Sequence, residues 1–280
     1  MATATNRTFA VVTGASTGIG YELAKQCIEH DFDILICAED PGIHEAARHL
    51  GATGAAVEAV RCDLATYEGC EKLVRTVDEA ARPVDALILN AGVGVGGPFV
   101  QTDLDDEIRM ISVNAISIVH LSKRILPRMV NRGSGRVLIT ASIAATSPAP
   151  YLSVYGATKA FDLSFAEALR FELEDTGVTV TALQPGATDT EFFERAHMES
   201  TKVAEGKKDD PADVARVGFE AMMAGKDKVI AASLKSKLEG LAGELLPEKI
   251  KAKMQAGQTK PGTGHKHEED IRDTLSKKHH

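Results

Sequence analysis

The sequence predicts a doubly wound α/β fold, a mostly seven-stranded parallel sheet with helices on both faces. Three observations lead there. Apolar runs alternate with segments of helical period along most of the chain, the pattern of successive βαβ units. The strand-like runs are near-continuous Val, Ile, Leu and Ala, which suits strands buried on both faces rather than one. The chain has 280 residues, 44% hydrophobic and 26% charged, values of an ordinary globular protein long enough to bury a substantial core.

The elements follow in order. Arg7–Thr13 reads as the first strand and Thr17–Glu29 as its helix. Asp33–Ala38 is a second strand, Ile43–Leu50 a helix, Ala56–Arg61 a third strand and Tyr67–Ala80 a helix. Val84–Leu89 is a fourth strand. Asp105–Arg132 has helical period, with room for a break, and leads to a fifth strand, Arg136–Ala141. Val154–Asp175 is a long helix and Val178–Leu183 a sixth strand. Short connections between parallel strands imply right-handed crossovers. After Pro185 the periodicity weakens, and Ala187–Asp209 reads as a substrate-side loop able to close as a lid. Asp210-Pro211 is an N-cap followed by proline at the first helical position, opening a helix to about Ala224. Lys228–Ala232 is a seventh strand. Leu234–Met254 is amphipathic and helical, interrupted at Pro247. The expected organisation is one domain over residues 1–256 and a polar, flexible tail over 257–280.

Charge and composition exclude several functions. A net charge of −8 offers nucleic acid or an anionic membrane no basic surface. No apolar run is long enough to span a bilayer. Met1–Thr8 is short, polar and without a cleavage pattern, so no signal peptide is expected. Cys27, Cys37, Cys62 and Cys70 form no C-x-x-C pair, as expected of reduced thiols in the cytoplasm. No metal site is expected, because no His/Cys/Asp cluster has ligand spacing; His265, His267, His279 and His280 sit in the tail.

Two local motifs carry chemistry. The first strand runs into Gly14-Ala15-Ser16-Thr17-Gly18-Ile19-Gly20 and then a helix. Such a turn brings backbone close to a pyrophosphate, and the helix N-terminus adds N–H groups and positive potential. Gly14 would make the turn, Gly18 admit the phosphate and Gly20 pack helix on strand. The second motif is Tyr155-Gly156-Ala157-Thr158-Lys159, a phenol and an ammonium about one helical turn apart. A positive neighbour draws a tyrosine down from its free pKa of about 10, toward proton exchange with an alcohol near neutrality.

With Cys62-Asp63-Leu64, Asn90-Ala91-Gly92, Asn114, Ser142 and Pro185-Gly186 followed by Thr188 and Thr190, these motifs stand in the order of the short-chain dehydrogenase/reductase family, whose single-domain Rossmann-type members the chain resembles over Arg7 to Ala232. The resemblance implies an NAD(P)-dependent oxidoreductase that interconverts a secondary alcohol and a ketone, or an alcohol and an aldehyde. Tyr155 would be general acid and base. Lys159 would lower its pKa and bind the nicotinamide ribose. Ser142 would polarise the substrate oxygen, and Asn114 would serve a proton relay. Around the cofactor the resemblance places Gly14, Ser16, Thr17, Gly18, Ile19 and Gly20 at the phosphates, and Asp63 and Leu64 at the adenine. Asn90, Ala91 and Gly92 fall beside the adenosine ribose, and Pro185, Gly186, Thr188 and Thr190 at the carboxamide and pyrophosphate. Ala38 and Leu89 depart from common residues of the family at their positions.

Cofactor choice turns on the end of the second strand, where Glu39 and Asp40 stand without a base. A carboxylate accepts from ribose hydroxyls and repels a 2′-phosphate, so NAD is favoured over NADP. The substrate is expected to be a small hydrophobic alcohol or carbonyl compound, held by apolar residues among Val93–Phe99, Ile143–Leu152 and Glu191–Met198; His197 could touch it. A homodimer or homotetramer through the Asn114 and Tyr155 helices is what the resemblance implies. A non-catalytic NAD(P)-sensing protein of the same fold is the alternative, although such proteins commonly lose the Tyr or the Lys that this chain keeps.

Overall fold

A computed structural model describes residues 7–232 and 247–264. The sequence readings at Met1–Asn6, Leu234–Leu246 and from His265 onward, the four tail histidines included, lie outside the described residues.

Seven strands form one sheet in the order β3-β2-β1-β4-β5-β6-β7, parallel throughout. They are β1 Thr8–Thr13, β2 Phe32–Ala38, β3 Val57–Arg61, β4 Ala86–Leu89, β5 Gly135–Thr140, β6 Val178–Pro185 and β7 Lys228–Ala231. Every residue of β2 and β4 is buried, the burial on both faces that their unbroken apolar sequences require.

The helices are α1 Gly18–Glu29, α2 Ile43–Gly51, α3 Tyr67–Glu79, α4 Leu104–Ile111, α5 Ser117–Arg132 and α6 Ser153–Glu172. Beyond them lie α7 Phe192–Arg195, α8 Lys202–Glu205, α9 Pro211–Met223 and α10 Glu248–Thr259. They divide between the faces of the sheet. Leu23 and Cys27 of α1, Ile43 of α2 and Phe219 of α9 pack against Ala10, Val12, Ile34 and Ile36. Leu73 and Val77 of α3, Leu121, Ile125 and Met129 of α5 and Ala166 of α6 pack against Val11, Leu35, Leu87 and Val137. Alternate residues of one strand therefore feed two cores, as period-2 geometry dictates.

Three boundaries differ informatively from the sequence reading. The Asp105–Arg132 segment does break, and the break is a π-helical turn, Ser112–Ile116, with Asn114 at its centre. The Ala187–Asp209 segment holds the one-turn helices α7 and α8, too short to leave a period in the sequence, and is pinned by a bridge between Thr188 and Asp209. Finally, α10 runs past Met254 to Thr259. The chain beyond it is held too: Gly262 N donates to Ser200 Oγ at 3.2 Å and Gly264 N to Ser200 O at 2.9 Å. The predicted cap holds, with Asp210 accepting from Ala212 N at 2.8 Å and Pro211 opening α9.

Candidate active site

Because β1 lies between β2 and β4, connections leave it in opposite directions and a crevice opens at the carboxyl ends of the strands. Sheets of this kind bind ligands at that point. A cleft of about 1260 Å³ fills it. That exceeds the roughly 300–1,000 Å³ of a site for one drug-sized ligand, leaving room for a cofactor and a substrate together.

The glycine turn forms the floor of one half. Gly14 and Gly18 have φ of +67° and +59°, the left-handed region that disfavours other residues. A Cβ on Gly14 would stand 2.7 Å from Ala91 Cα, and one on Gly20 2.0 Å from Gly14 O. The α1 N-terminus that follows has no side-chain cap on its N–H groups and no acidic residue in its first turn. Its positive end is left uncompensated toward the cleft, which fits a pyrophosphate. Gly18 abuts Thr190, whose methyl carbon would lie 2.9 Å from an added Cβ, so the turn meets the segment after β6. Asn90 laces the strands beneath. Its Nδ2 donates to Thr13 O and Gly14 O at 3.3 and 3.4 Å, its N donates to Thr13 Oγ1 at 2.9 Å, and its Oδ1 accepts from Thr140 Oγ1 at 3.1 Å.

The carboxyl ends of β2 and β3 are built differently from the sequence expectation. Glu39 and Asp63 do line the cleft, but bases stand beside them. Arg109 of α4 grips Asp63 with both nitrogens, Nη1 to Oδ2 at 2.9 Å and Nη2 to Oδ1 at 3.0 Å. The same Nη2 lies 2.5 Å from Glu39 Oε2. This hydrogen-bonded guanidinium holds the Asp63 carboxyl below the usual carboxylate range. Arg61 Nε donates to Glu39 O at 2.7 Å, and Arg195 Nη2 stands 3.7 Å from Asp40. The sequence reading found no base at the end of β2 because it looked along the chain; Arg109 arrives from seventy residues away.

At the other end of the cleft, α6 places Tyr155 and Lys159 one turn apart. Lys159 is buried, with Nζ donating to Thr140 O at 2.9 Å and to Asp162 Oδ2 at 3.0 Å. Its Nζ lies 6.0 Å from the centroid of the Tyr155 ring, which packs on Phe192 at 5.1 Å between centroids. Ser142 lies two residues after β5 and caps a short 3-10 turn by accepting from Ala144 N at 3.1 Å. Asn114 is fully buried. Its Oδ1 accepts from Val93 N at 2.9 Å, while Nδ2 donates to Val93 O and Thr158 Oγ1, each at 3.0 Å. The π-helical turn thus fastens the segment after β4 to α6. A Cβ on Gly92 would lie 3.4 Å from both Asn114 Oδ1 and Lys159 Nζ.

All predicted cofactor residues, and Ser142, Tyr155 and Lys159, line this one cleft; Asn114 stands behind its wall. The substrate side departs more from expectation. Val93, Leu152, Phe192 and Phe193 line the cleft, whereas Val95, Phe99, Pro148, Tyr151 and His197 do not. Phe99 is exposed, and His197 occupies a turn at φ +55°. The sequence reading expected helix up to Met254 but gave it no place at the site; α10 brings Met254, Gln255, Gln258 and Thr259 to the cleft. The sequence reading missed Asp162, whose burial raises its pKa against the pull of Lys159. The three-residue spacing from Lys159 on one helix was an available signal for that contact. Among the described residues no group of acidic, His or Cys side chains could hold a metal.

Fold and cleft together define the class, a doubly wound α/β protein with a glycine-rich turn at the carboxyl edge of its sheet and a Tyr–Lys pair in the same cleft. Residues 8–200 match the family model described as short chain dehydrogenase. Ketoacyl reductase HetN of Nostoc sp. is 30% identical over 187 residues, covering 66% of this chain and 65% of that protein. The 1-deoxy-11-beta-hydroxypentalenate dehydrogenase of Streptomyces exfoliatus is 36% identical over 185 residues, covering 65% of this chain and 67% of the relative. A short-chain dehydrogenase from Sphingobium yanoikuyae, solved in complex with NADPH, superposes with a TM-score of 0.74 at 28% identity, covering 84% of this chain and 92% of that one. The chain belongs to the short-chain dehydrogenase/reductase family, a family of NAD(P)-dependent oxidoreductases.

Proposed function

We propose that the protein interconverts a hydrophobic ketone or aldehyde and the corresponding alcohol by hydride transfer with a nicotinamide cofactor. The observation that carries this reading is the convergence of Ser142, Tyr155 and Lys159 on the cleft that also holds the glycine turn. The nicotinamide supplies or accepts the hydride; the remaining tasks belong to the protein. In reduction, Tyr155 donates its phenolic proton to the oxygen that becomes the alcohol, and in oxidation it takes that proton back. The Lys159 ammonium stabilises the phenolate left after donation. Ser142 donates to the same substrate oxygen as its charge develops. Asn114 holds Val93 and Thr158, keeping α6 and the segment after β4 in register for a proton relay. Leu152, Phe192 and Phe193 give the substrate an apolar seat.

The relatives solved with NADPH, including actinorhodin polyketide ketoreductase at 28% identity and a TM-score of 0.73, support a nicotinamide cofactor. Glu39 keeps NAD ahead of NADP in this reading. A homodimer or homotetramer is supported by exposed Leu104 and Ile108 on α4, Ile116 in the π-helical turn, Val119 on α5 and Phe161 on α6. The cytoplasm suits four unpaired buried thiols. One catalytic domain spans the sheet and its helices, and α10 carries it past the expected boundary at residue 256.

The test is a panel of carbonyl compounds and alcohols with NADH and NADPH, read as nicotinamide absorbance, followed by Tyr155→Phe. The variant is expected to lose about 10²–10⁴-fold in kcat, the usual worth of a positioned acid or base, while binding cofactor normally. Undiminished turnover would remove Tyr155 from the chemistry.

A further inference from the structure

We propose that Arg109 is a positioning residue for the adenosine half of NAD(H), holding Glu39 and Asp63 as a paired acceptor for the ribose hydroxyls and the adenine amino group. The inference rests on the nucleotide reading above and adds a residue that the glycine turn and the end of β2 do not disclose. Its basis is a single guanidinium bound to two carboxylates from different strand ends. Asp63 follows β3 and Glu39 follows β2, and Arg109 spans them with three hydrogen bonds of 2.5 to 3.0 Å. All three residues line the cleft.

The physical need is clear from charge. Without a cation, two ionised carboxylates facing one small site repel each other and their side chains spread among rotamers. A planar fork satisfies one carboxylate with two parallel bonds and reaches the second with the same nitrogen, a geometry that a lysine ammonium cannot copy. The fork also leaves acceptor capacity free, since each ionised carboxyl has about four lone-pair sites. An ordered Glu39 can then accept from both ribose hydroxyls, as an acidic residue in this place does in NAD sites. Arg61 fixes the backbone of the same residue through Glu39 O, so both the main chain and the side chain of Glu39 are restrained.

The experiment measures NADH and NADPH dissociation constants by nicotinamide fluorescence for the wild type, Arg109→Gln, Arg109→Lys, Glu39→Gln and the Arg109→Gln/Glu39→Gln double variant. Arg109→Gln is expected to weaken NADH about tenfold, the loss of one charge-assisted hydrogen-bonded contact. Arg109→Lys should fall between it and the wild type. The double variant should lose less than the sum of the two singles, because Arg109 acts through Glu39. In turnover the loss should fall on the KM for NADH rather than on kcat, a split that general loss of structure does not produce. Unchanged NADH affinity in Arg109→Gln, or additive losses, would overturn the proposal. A loss confined to NADPH would also overturn it, assigning Arg109 to a 2′-phosphate. A wild type that binds neither nucleotide would instead overturn the functional reading itself.

Discussion

Arg109 keeps Asp63 charged further into acid than a free aspartate, and that pairing has a pH signature. Its folded-state pKa is lowered, first by the Arg109 hydrogen bond. A lowered carboxylate contributes stability that is fully present above its unfolded value, near 3.9, and is lost as pH falls through the folded value. Asp63→Asn should therefore be less stable than the wild type at neutral pH by a margin that holds down to about pH 4 and closes below it. Denaturant midpoints across pH 3 to 7 check this; a margin independent of pH would detach Asp63 from Arg109. Asp162 has the opposite sign, since burial raises its pKa. Its burial weighs against the folded state as pH climbs above the unfolded value, and Lys159 at 3.0 Å offsets that cost.

Among the elements, α10 changes the picture of the substrate side. Thr259 Oγ1 donates to Pro150 O at 2.7 Å, while Thr263 Oγ1 accepts from Lys202 N and Gly264 N donates to Ser200 O, tying the chain after α10 to the start of α8. Thr259→Val should cost about 1 kcal/mol, the usual worth of one hydrogen bond, read by chemical denaturation. It should raise the KM of a bulky substrate while leaving the KM of the cofactor unchanged; equal KM values for bulky and small substrates would show that α10 does not shape the site. Little of this was legible beforehand. The strands announced themselves because burial on both faces writes unbroken apolar runs, and the glycine turn because left-handed φ and close backbone approach demand glycine there. Tyr155 and Lys159 were legible because a helix converts sequence spacing into adjacency. Arg109, Asn114's partners and the α10 wall are long-range contacts, and no local period encodes which distant side chain arrives. The one-turn helices α7 and α8 are too short to show a period at all.

At the scale of the whole molecule, two cores on opposite faces of one sheet leave the α4–α6 flank with several apolar side chains in water, among them Leu104, Ile108, Ile116, Val119 and Phe161. Leu104 is 71% exposed and Ile116 58%, Ile116 lying in the same π-helical turn whose Val113, Asn114 and Ala115 are buried. Covering that flank with a second copy would remove this surface from water, at about 25 cal/mol per Å² of apolar area. Ile116→Asp should shift the protein toward monomer in sedimentation velocity, with native secondary structure retained. A wild type that sediments as a monomer throughout the micromolar range would refute the assembly.

Asn90 gives the cleft one further property. A single side chain and its own N–H tie β1, β4 and β5 together directly under the crevice, so the floor is fastened before any nucleotide arrives. Association commonly loses affinity to the ordering of loops and side chains. A floor that needs no such ordering would spare the proposed nucleotide complex that loss.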